Sequence, residues 1–362
     1  MSFKSTFIGI GVVLFILMIL LPFIFSLGSL RSPRPAASSG LGVYRSVDNG
    51  EHWTLQTTVE TSGVPFPSQI LAMEISPSDP NIIYLGSRGA GLWISENGGD
   101  SWIRASDPQN VLKPNAEIYS IALSRARPQQ LYLAVFQDNL GKVLKSLDGG
   151  RSFLEVYSVT QDRFGVFGVA VDQANPDRIY IATGQGGFFE SNDQGKTWRI
   201  QKWFPDGLTR LLADPADSSE YYVVSSHGEM FRTNNRGLSW LRLTEGYSSF
   251  SKADKIADLT FDPLNYSTIY SASSYGLLRS ADRGVHWEQV RLIVPTGKEG
   301  VSAAAINPND SSFLYAGVGQ DLYASRDGGT SWRTLSLRAP APIRLLRVNP
   351  RDPKVIFAVI SN

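Results

Sequence analysis

Four acidic residues in predicted loops are the first candidates for chemistry: Asp138, Asp206, Glu229 and Asp254. Hydrolysis of a glycoside needs two carboxyl groups about 5–10 Å apart beside an open groove. The spacing of these residues along the chain brings no two of them together, and scattered loop carboxylates are usually solvated. His227 has neither metal ligands nor a nucleophile near it in sequence. These residues favour a protein without catalytic residues, metal or cofactor, and leave glycan hydrolysis as the enzymatic alternative.

A second set of acidic side chains recurs in an eight-residue phrase, S/T-x-D/N-x-G-x-(S/T/H)-W/F, of which SNDQGKTW from Ser191 is a complete copy. The Asp or Asn can accept backbone N–H bonds inside a tight turn, and the Gly can take a positive φ. A side chain that holds its own turn is not free for a substrate, so the role expected for it is structural. The seven third-position residues are Asp48, Asn97, Asp148, Asp193, Asn235, Asp282 and Asp327.

The spacing of the phrase indicates a repeat architecture. Successive copies start 49, 51, 45, 42, 47 and 45 residues apart, which is the period of a propeller blade. Between copies, two apolar runs flank a turn rich in Pro, Asp and Asn, as in VAVDQANPDRIYIAT from Val169. Such runs predict a hairpin. The unit is therefore four strands, A to D, with the phrase between C and D.

The two ends of the repeat region complement each other. The region begins with a C-D hairpin at 42–57 that no A-B pair precedes, and ends with an A-B pair at 343–360 that no C-D pair follows. Joined, they make one blade and bury the last open sheet edge. The sequence thus predicts an all-β fold over residues 42–362, a single seven-bladed β-propeller of four-stranded blades.

The segment before the propeller has the composition of a membrane anchor. Residues 1–6 form a short tail, and 7–28 are predicted to be a transmembrane signal-anchor, because 21 uncharged residues, Phe7–Leu27, would span roughly 30 Å. A cleavable signal peptide is the alternative. Residues 29–41 are a flexible linker rich in Ser, Pro, Gly and Ala. We expect a single-pass membrane protein with an extracytoplasmic propeller, although the flanking charges do not decide its orientation.

Composition excludes several classes of function. The 34 basic and 33 acidic residues nearly balance, so no nucleic-acid partner is expected. Cysteine is absent, which excludes disulfides, thiolate catalysis and zinc-thiolate sites.

The phrase resembles the Asp-box, or bacterial neuraminidase repeat, of sialidases, xyloglucanases, sortilin-type receptors and the photosystem II stability and assembly factor group. The departures at Asn97, Phe153 and Asn235, and at His52 and His286, should loosen individual turns. Sialidases resemble six-bladed rings with an arginine triad, xyloglucanases pair two rings, and sortilin-type receptors have ten blades and a cysteine-rich module. A single seven-bladed ring is most similar to the assembly-factor group. That resemblance implies a binding platform for other membrane proteins, but no photosynthetic role follows.

The resemblance also implies that a ligand site lies opposite the Asp-box turns, on the B-C loops and the D-to-A crossings between blades. Aromatic and arginine side chains there suit a peptide or a sugar, while the alternative is that the aromatics only cap the blade core. The candidate binding surface comprises Arg88, Arg163, Phe164, Phe167, Trp203, Phe204, Asp206, His227 and Tyr275.

The function expected from these features is a membrane-tethered protein-binding or assembly platform at the cell envelope. Its partner would be a protein, possibly one of the membrane. The alternatives are a carbohydrate-binding or glycoside-hydrolase-like propeller and a purely structural envelope component.

Overall fold

The computed structural model describes residues 40–61, 63–292 and 299–361, which form seven four-stranded antiparallel sheets around a central channel. This confirms the predicted seven-bladed all-β propeller. The predicted tail at 1–6, the anchor at 7–28 and nearly all of the linker at 29–41 lie outside the described residues. Among the residues that are described, no helix is long and apolar enough to cross a membrane.

The first half of the chain supplies part of blade 7 and all of blades 1 to 3. Blade 7 receives its C and D strands, β1 (Gly42–Ser46) and β2 (Thr54–Gln56). Blade 1 consists of β3 (Ile70–Ile75), β4 (Ile83–Ser87), β5 (Leu92–Ser95) and β6 (Ile103–Arg104). Blade 2 consists of β7 (Glu117–Leu123), β8 (Leu131–Gln137), β9 (Leu140–Ser146) and β10 (Leu154–Ser158). Blade 3 consists of β11 (Val166–Val171), β12 (Ile179–Thr183), β13 (Gly187–Ser191) and β14 (Arg199–Trp203).

The second half supplies blades 4 to 6 and completes blade 7. Blade 4 consists of β15 (Leu208–Ala213), β16 (Tyr221–Ser225), β17 (Met230–Thr233) and β18 (Leu241–Arg242), and a short 3₁₀ helix, Thr244–Tyr247, follows it. Blade 5 consists of β19 (Ile256–Asp262), β20 (Asn265–Ser273), β21 (Leu277–Ser280) and β22 (Glu288–Val290). Blade 6 consists of β23 (Val301–Asn307), β24 (Asp310–Val318), β25 (Asp321–Ser325) and β26 (Arg333–Leu335). The A and B strands of blade 7 are β27 (Ile343–Val348) and β28 (Ile356–Ile360).

Blade 7 closes the ring. Strand β28 pairs antiparallel with β1, from Gly42 opposite Ile360 to Ser46 opposite Ile356. The sheet order β2-β1-β28-β27 therefore joins two hairpins from opposite ends of the chain. This is the shared blade that the incomplete repeats at the two ends predicted, and no sheet edge is left open at the point of closure.

Burial follows the position of each strand in its blade. The B strands β16 and β28 are buried along their whole length, and a strand covered on both faces needs such a continuous apolar run. The D strand β14 is mostly exposed. Between blades 3 and 4, Phe188 packs against Tyr180, with ring centroids 5.4 Å apart, and against Trp240, at 5.0 Å. Aromatic contacts of this kind, stacked within a blade and edge to face between blades, form the core between neighbouring sheets.

The seven Asp-boxes have one hydrogen-bond pattern. In every box the first-position hydroxyl accepts the N–H of the fifth-position Gly at 2.8 Å. The glycines concerned have φ between 88° and 94°, as the sequence predicted. The departures do not loosen the turns: Asn97 accepts the N–H of Ser101 at 3.0 Å, and Asp282 accepts that of His286 at 2.8 Å. Asn keeps the acceptor oxygen, and the N–H at the seventh position belongs to the backbone whatever its side chain.

Each box is also bound to the A-B turn of its own blade. The fourth-position N–H donates to a carbonyl oxygen of that turn in all seven blades, for example from Gln194 to Asp177 at 2.8 Å and from Arg283 to Ser267 at 2.9 Å. The boxes and the A-B turns therefore share one face of the propeller. The B-C loops and the D-to-A crossings form the other face, which we call the loop face.

Candidate functional site

Every A strand begins with a β-bulge. The register between strands A and B shifts at the same place in all seven blades, for example between Ile70 and Ala72 and between Leu208 and Arg210. A bulge re-aims side chains and is common beside functional sites. The residue inside each bulge lines the channel or its mouth: Leu71, Tyr119, Phe167, Thr209, Ala257, Ser302 and Arg344.

The mouth of the channel, on the loop face, is a cavity of about 530 Å³ whose charged lining residues are all arginines. They are Arg88 from a B-C loop, Arg210 from β15 and Arg344 from β27, and among the described residues no Asp or Glu side chain lines the cavity with them. The Arg344 Nε donates to the carbonyl oxygen of Ser361 at 3.3 Å. Three guanidinium groups lined up without an acidic side chain of the described residues give the mouth a positive charge, which attracts anions.

Burial lowers the pKa of the Arg210 guanidinium, although nearby Asp258 opposes the shift. An arginine starts from so high a pKa that it keeps its charge. Its guanidinium donates to the carbonyl oxygen of Ala257, which fixes it at the boundary between the mouth and the deeper channel. The mouth is therefore cationic at any ordinary pH.

An aromatic pair lines the channel below the mouth. Tyr119 and Phe167 meet edge to face, with ring centroids 4.9 Å apart. Burial raises the pKa of the Tyr119 phenol to about 12, and its hydrogen bond to the Glu117 carboxylate adds to the shift. The phenol is neutral near pH 7, and its O–H donates a hydrogen bond to Glu117. The face of the ring is therefore the part of Tyr119 that is left to contact a ligand.

Deeper in the channel, a cavity of about 170 Å³ is lined by two acidic and two basic residues. We call it the throat, and its charged residues are Glu74, Arg210, Asp258 and Arg347. The mouth and the throat share Leu71, Arg210 and Leu345, so they are continuous. Burial raises the pKa values of the Glu74 and Asp258 carboxyls, and the nearby guanidinium of Arg347 opposes both shifts.

Only part of the surface expected from the sequence lies at the channel. Arg88 lies at the mouth and Phe167 in the throat wall. Arg163 and Phe164 are exposed on the crossing before β11, where the carbonyl oxygen of Phe164 accepts the N–H of Gly141 at 2.8 Å. Neither of them lines the mouth or the throat.

The remaining expected residues separate into a core residue and several peripheral ones. Phe204 is 5% exposed and packs on Phe231 and Trp240, so it belongs to the core. Its neighbour Trp203 is 53% exposed and contacts Phe189. Tyr275 is half-buried and donates to Gln289 at 3.2 Å.

The four loop carboxylates each lie beside a basic side chain of their own. Asp206 lies 3.1 Å from His227 Nδ1. Asp138 lies 3.4 Å from Lys142, Glu229 2.5 Å from Arg242 and Asp254 3.3 Å from Lys255. None of the four acids lines the mouth or the throat. The structure therefore brings no pair of them together in the central channel.

Sequence reasoning missed Arg210, Arg344 and the charged residues of the throat. These residues stand inside apolar A-strand runs, such as LTRLLA in β15 and IRLLRV in β27, and a strand of this kind is normally assigned to the core. The available signal was the charge itself, because Asp, Glu and Arg are rarely buried without a partner. A charged residue in the innermost strand of a propeller has only the channel to face.

Comparisons with known proteins agree with this architecture. A family model described as photosynthesis system II assembly factor YCF48 matches residues 143–359. A curated relative, a xyloglucanase of Paenibacillus sp, is 26% identical over 168 residues, which are 45% of this chain and 15% of the relative. The chain thus spans less than a fifth of that relative's length.

Three solved structures share the fold. YCF48 from Cyanidioschyzon merolae is 16% identical, with a TM-score of 0.65, and 82% of this chain covers 97% of it. YCF48 bound to D1 peptide is 16% identical, with a TM-score of 0.62, and 82% of this chain covers 93% of it. The GH74 xyloglucanase from Xanthomonas campestris is 17% identical, with a TM-score of 0.66, and 88% of this chain covers 52% of it. At these identities the likeness shows the fold, and the function has to be argued from the site.

Proposed function

Because the chain belongs to the photosynthesis system II assembly factor YCF48 family, we propose that its propeller is a protein-binding platform that assists the assembly of a partner at the cell envelope. The observation that carries the proposal is the cationic mouth, which Arg88, Arg210 and Arg344 line and which no Asp or Glu of the described part of the chain lines. One solved structure of the family is YCF48 bound to D1 peptide, which supports a protein partner here.

The partner segment that fits the mouth is extended and acidic. Guanidinium groups bind carboxylates through charge-assisted hydrogen bonds, and the exposed Arg88 and Arg344 are accessible from the loop face. The aromatic pair of Tyr119 and Phe167 offers a neighbouring apolar wall. A segment that carries carboxylates next to an apolar side chain would satisfy both parts of this surface.

Membrane attachment is part of the proposal. The uncharged run at 7–28 would anchor the chain, and the linker at 29–41 would hold the propeller near the bilayer on the extracytoplasmic side. Protease treatment of intact spheroplasts tests this arrangement. Digestion of the propeller is the expected result, and a propeller that is protected until the membrane is permeabilised would contradict it.

Capture of partners from membranes tests the mouth directly. The double variant Arg88→Glu/Arg344→Glu should lower the crosslinked partner yield about tenfold or more, since reversed charges repel an acidic segment. Lys354→Glu, on the box face, is the matched control and should keep the yield. Equal yields from the double variant and the wild type would show that the mouth is not the binding surface.

Glycan binding is a second candidate, favoured by one specific observation. Trp203 is 53% exposed and rests on Phe189, an arrangement suited to stacking on a sugar ring. Titration with xyloglucan oligosaccharides tests it, because a Trp203→Ala variant should then lose affinity while the arginine double variant keeps it. Absence of binding by the wild-type chain would remove this candidate.

A further inference from the structure

A second cavity on the loop face shares a wall with the mouth. We call this cavity, of about 360 Å³, the rim pocket, and Gly89 and Ala90 of a B-C loop line it. Arg88, the residue before them, lines the mouth, so the loop is the wall between the two cavities. A Cβ built on Gly89 would meet no heavy atom of the described residues within 4 Å beyond its chain neighbours. A peptide chain can therefore cross the wall at Gly89.

The rim pocket takes its floor from blade 1. Trp93 and Arg104 stand opposite each other in the pairing of β5 with β6, so their side chains project from the same face of the sheet. Both residues line the rim pocket, together with the apolar side chains of Val64, Pro65 and Pro114. The pocket is thus mostly apolar, and Arg104 is its one charged lining residue in the described part of the chain.

The Arg104 guanidinium has no carboxylate partner among the described residues. It donates to the carbonyl oxygen of Pro114 at 2.5 Å, and no ion pair of 4.0 Å or less joins it to a residue that the structure describes. Arg242 stands at the equivalent position of β18, opposite Phe231, and there Glu229 pairs with it at 2.5 Å. The same strand position thus carries a paired arginine in blade 4 and an available positive charge in blade 1.

A smaller cavity of about 250 Å³ continues the rim pocket on the other side of Arg104, which lines both. Asp107 lines this smaller cavity, but its carboxylate is bound to the backbone of its own loop. It accepts the N–H groups of Val111 at 2.7 Å and Leu112 at 2.9 Å. Asp107 therefore holds the shape of the crossing 105–116 and leaves the charge of Arg104 to a ligand.

The crossing that borders both cavities is held in place before any ligand binds. It has 12 residues, 105–116, whereas the crossing from blade 3 to blade 4, 204–207, has four. Buried Gln137 donates to the carbonyl oxygen of Val111 at 2.7 Å and accepts the N–H of Lys113 at 3.0 Å. Long loops without secondary structure of their own usually serve a function. A wall that is already held also avoids the entropic cost of ordering it on binding.

We propose that the rim pocket is the second half of the partner-binding surface. A partner segment whose carboxylates lie at the mouth continues outward across Gly89 and places one apolar side chain in the rim pocket. The carboxylate of an adjacent residue of the segment then binds Arg104. The inference rests on the proposed protein-binding function and adds to it a second contact, outside the central channel.

The linings of the two cavities set the order of side chains in the partner segment. The mouth, with three arginines, takes acidic residues. The rim pocket takes an apolar side chain, because Trp93 and its apolar neighbours remove that side chain from water. A segment that is acidic throughout satisfies only the mouth, and a segment that is apolar throughout satisfies only the rim pocket.

Fluorescence anisotropy of the full chain with labelled peptides is the experiment. The probe consists of Glu-Glu, one to three Gly-Ser repeats and Leu-Glu, is capped so that neither terminus is charged, and is made in both sequence orders. A control set carries Ser in place of Leu and should bind about tenfold more weakly at the best spacer length. This comparison uses only the wild-type chain, so it does not depend on the folding of a variant.

Variants locate the second carboxylate of the probe. Arg104→Gln should lower the affinity for the Leu-Glu probe about tenfold and leave the affinity for a Leu-Gln probe nearly unchanged. Arg242→Gln, at the equivalent position of blade 4, is the matched control and should leave both affinities unchanged. An equal loss with the Leu-Glu and Leu-Gln probes would overturn the assignment of a carboxylate to Arg104.

The mouth variant separates this inference from the proposed function. Arg88→Glu/Arg344→Glu should weaken the binding of every probe, because each probe carries the acidic pair. If it does so and the Leu and Ser probes bind equally at every spacer length, the rim pocket is not a binding site, while the mouth remains one. If the wild-type chain binds none of the probes, both proposals are wrong.

Discussion

The backbone N–H of Asn49 donates to the carbonyl oxygen of Lys354 at 3.0 Å, which joins the first Asp-box to the last A-B turn. Both residues belong to blade 7, whose sheet pairs β1 with β28. The bond is the blade 7 version of a contact that each of the other six blades makes within one continuous stretch of chain. Closure of the ring therefore uses the ordinary contacts of a blade, with two distant segments supplying them.

Removal of a core side chain from the closing strand should destabilise the whole ring. Phe357 is fully buried in β28 and packs under the Asp-box of blade 1, beside Gly99. Phe357→Ala should cost about 3–5 kcal/mol in the free energy of unfolding, measured in denaturant. Val47→Ala, at a side chain 59% exposed on the adjoining turn, should change it by less than about 0.5 kcal/mol. A similar small change for Phe357→Ala would show that closure contributes little.

Acid should weaken the propeller through the Asp-boxes. Hydrogen bonds from Thr197 lower the pKa of Asp193, and bonds from Ser331 lower that of Asp327, each to about 2. Because an unfolded Asp titrates near 3.9, this stabilisation is complete above about pH 4 and disappears as the pH falls toward 2. Melting temperatures measured across that range should show the loss.

The chain supplies its own control for the acid effect. Asn97 and Asn235 make the same turn bonds without a titrating group. A double variant Asp193→Asn/Asp327→Asn should therefore lose less stability between pH 4 and 2 than the wild type. If the variant lost as much stability between pH 4 and 2 as the wild type, the Asp-box carboxylates would not be the groups responsible for the loss.

A guanidinium crosses from blade 5 to blade 4 and holds two buried acids. Arg283 contacts Glu220 and lies 3.3 Å from Asp214, whose side chains are each 1% exposed. Arg283→Ala should lower the free energy of unfolding by about 3 kcal/mol, because it leaves buried negative charge without a partner. Arg232 would still pair with Glu220, at 2.8 Å. Burial already raises the pKa of Asp214, so the loss should shrink as the pH falls and that carboxyl takes up a proton.

Denaturant unfolding at two pH values measures this effect. Arg279→Ala is the matched control, since its partner Glu288 is exposed, and a surface pair of that kind contributes about 1 kcal/mol or less. Equal losses for the two arginine variants would contradict a structural role for the crossing between blades.

Truncation of two adjacent aromatic residues should destabilise the protein to very different extents. Phe204→Ala should lower the free energy of unfolding by about 3–5 kcal/mol, because its ring is enclosed by Phe231 and Trp240. Trp203→Ala, at a half-exposed ring, should cost much less and leave the fold intact. Thermal and denaturant unfolding of the two variants compare them, and similar losses would show that Trp203 is also a core residue.

The architecture was predictable because its signals are local and repeated. Seven copies of a turn phrase at blade spacing, with incomplete units at 42–57 and 343–360, specify both the number of blades and the way the ring closes. Each box bond joins residues a few positions apart, so the sequence alone contains the geometry of the turn. The tolerance of Asn97 was less predictable, because the consensus does not say that an amide oxygen can replace the carboxylate.

The site was less predictable because it depends on residues that are distant in sequence. Arg88 comes from one loop and Arg344 from a strand more than 200 residues later, and only the curvature of the ring brings them to one mouth. The bulges also interrupt the alternation of inward and outward side chains, and the sequence does not show where they lie. The sequence of β15 therefore predicts an ordinary buried strand, although Arg210 lines the channel. Residue type likewise does not distinguish the exposed Trp203 from the buried Phe204. Their exposure differs because the next blade covers Phe204 and leaves Trp203 at the surface.

The pairing of β1 with β28 has a consequence for synthesis. A ribosome makes the β1 hairpin first and its partner strand last, so nearly the entire ring must emerge before the first hairpin finds its neighbour. Until then β1 has an unpaired edge, and a chain interrupted anywhere upstream of β28 keeps it exposed. Strand β28 thus distinguishes chains that can close the ring from chains that cannot, and products truncated before it should be retained by chaperones or degraded.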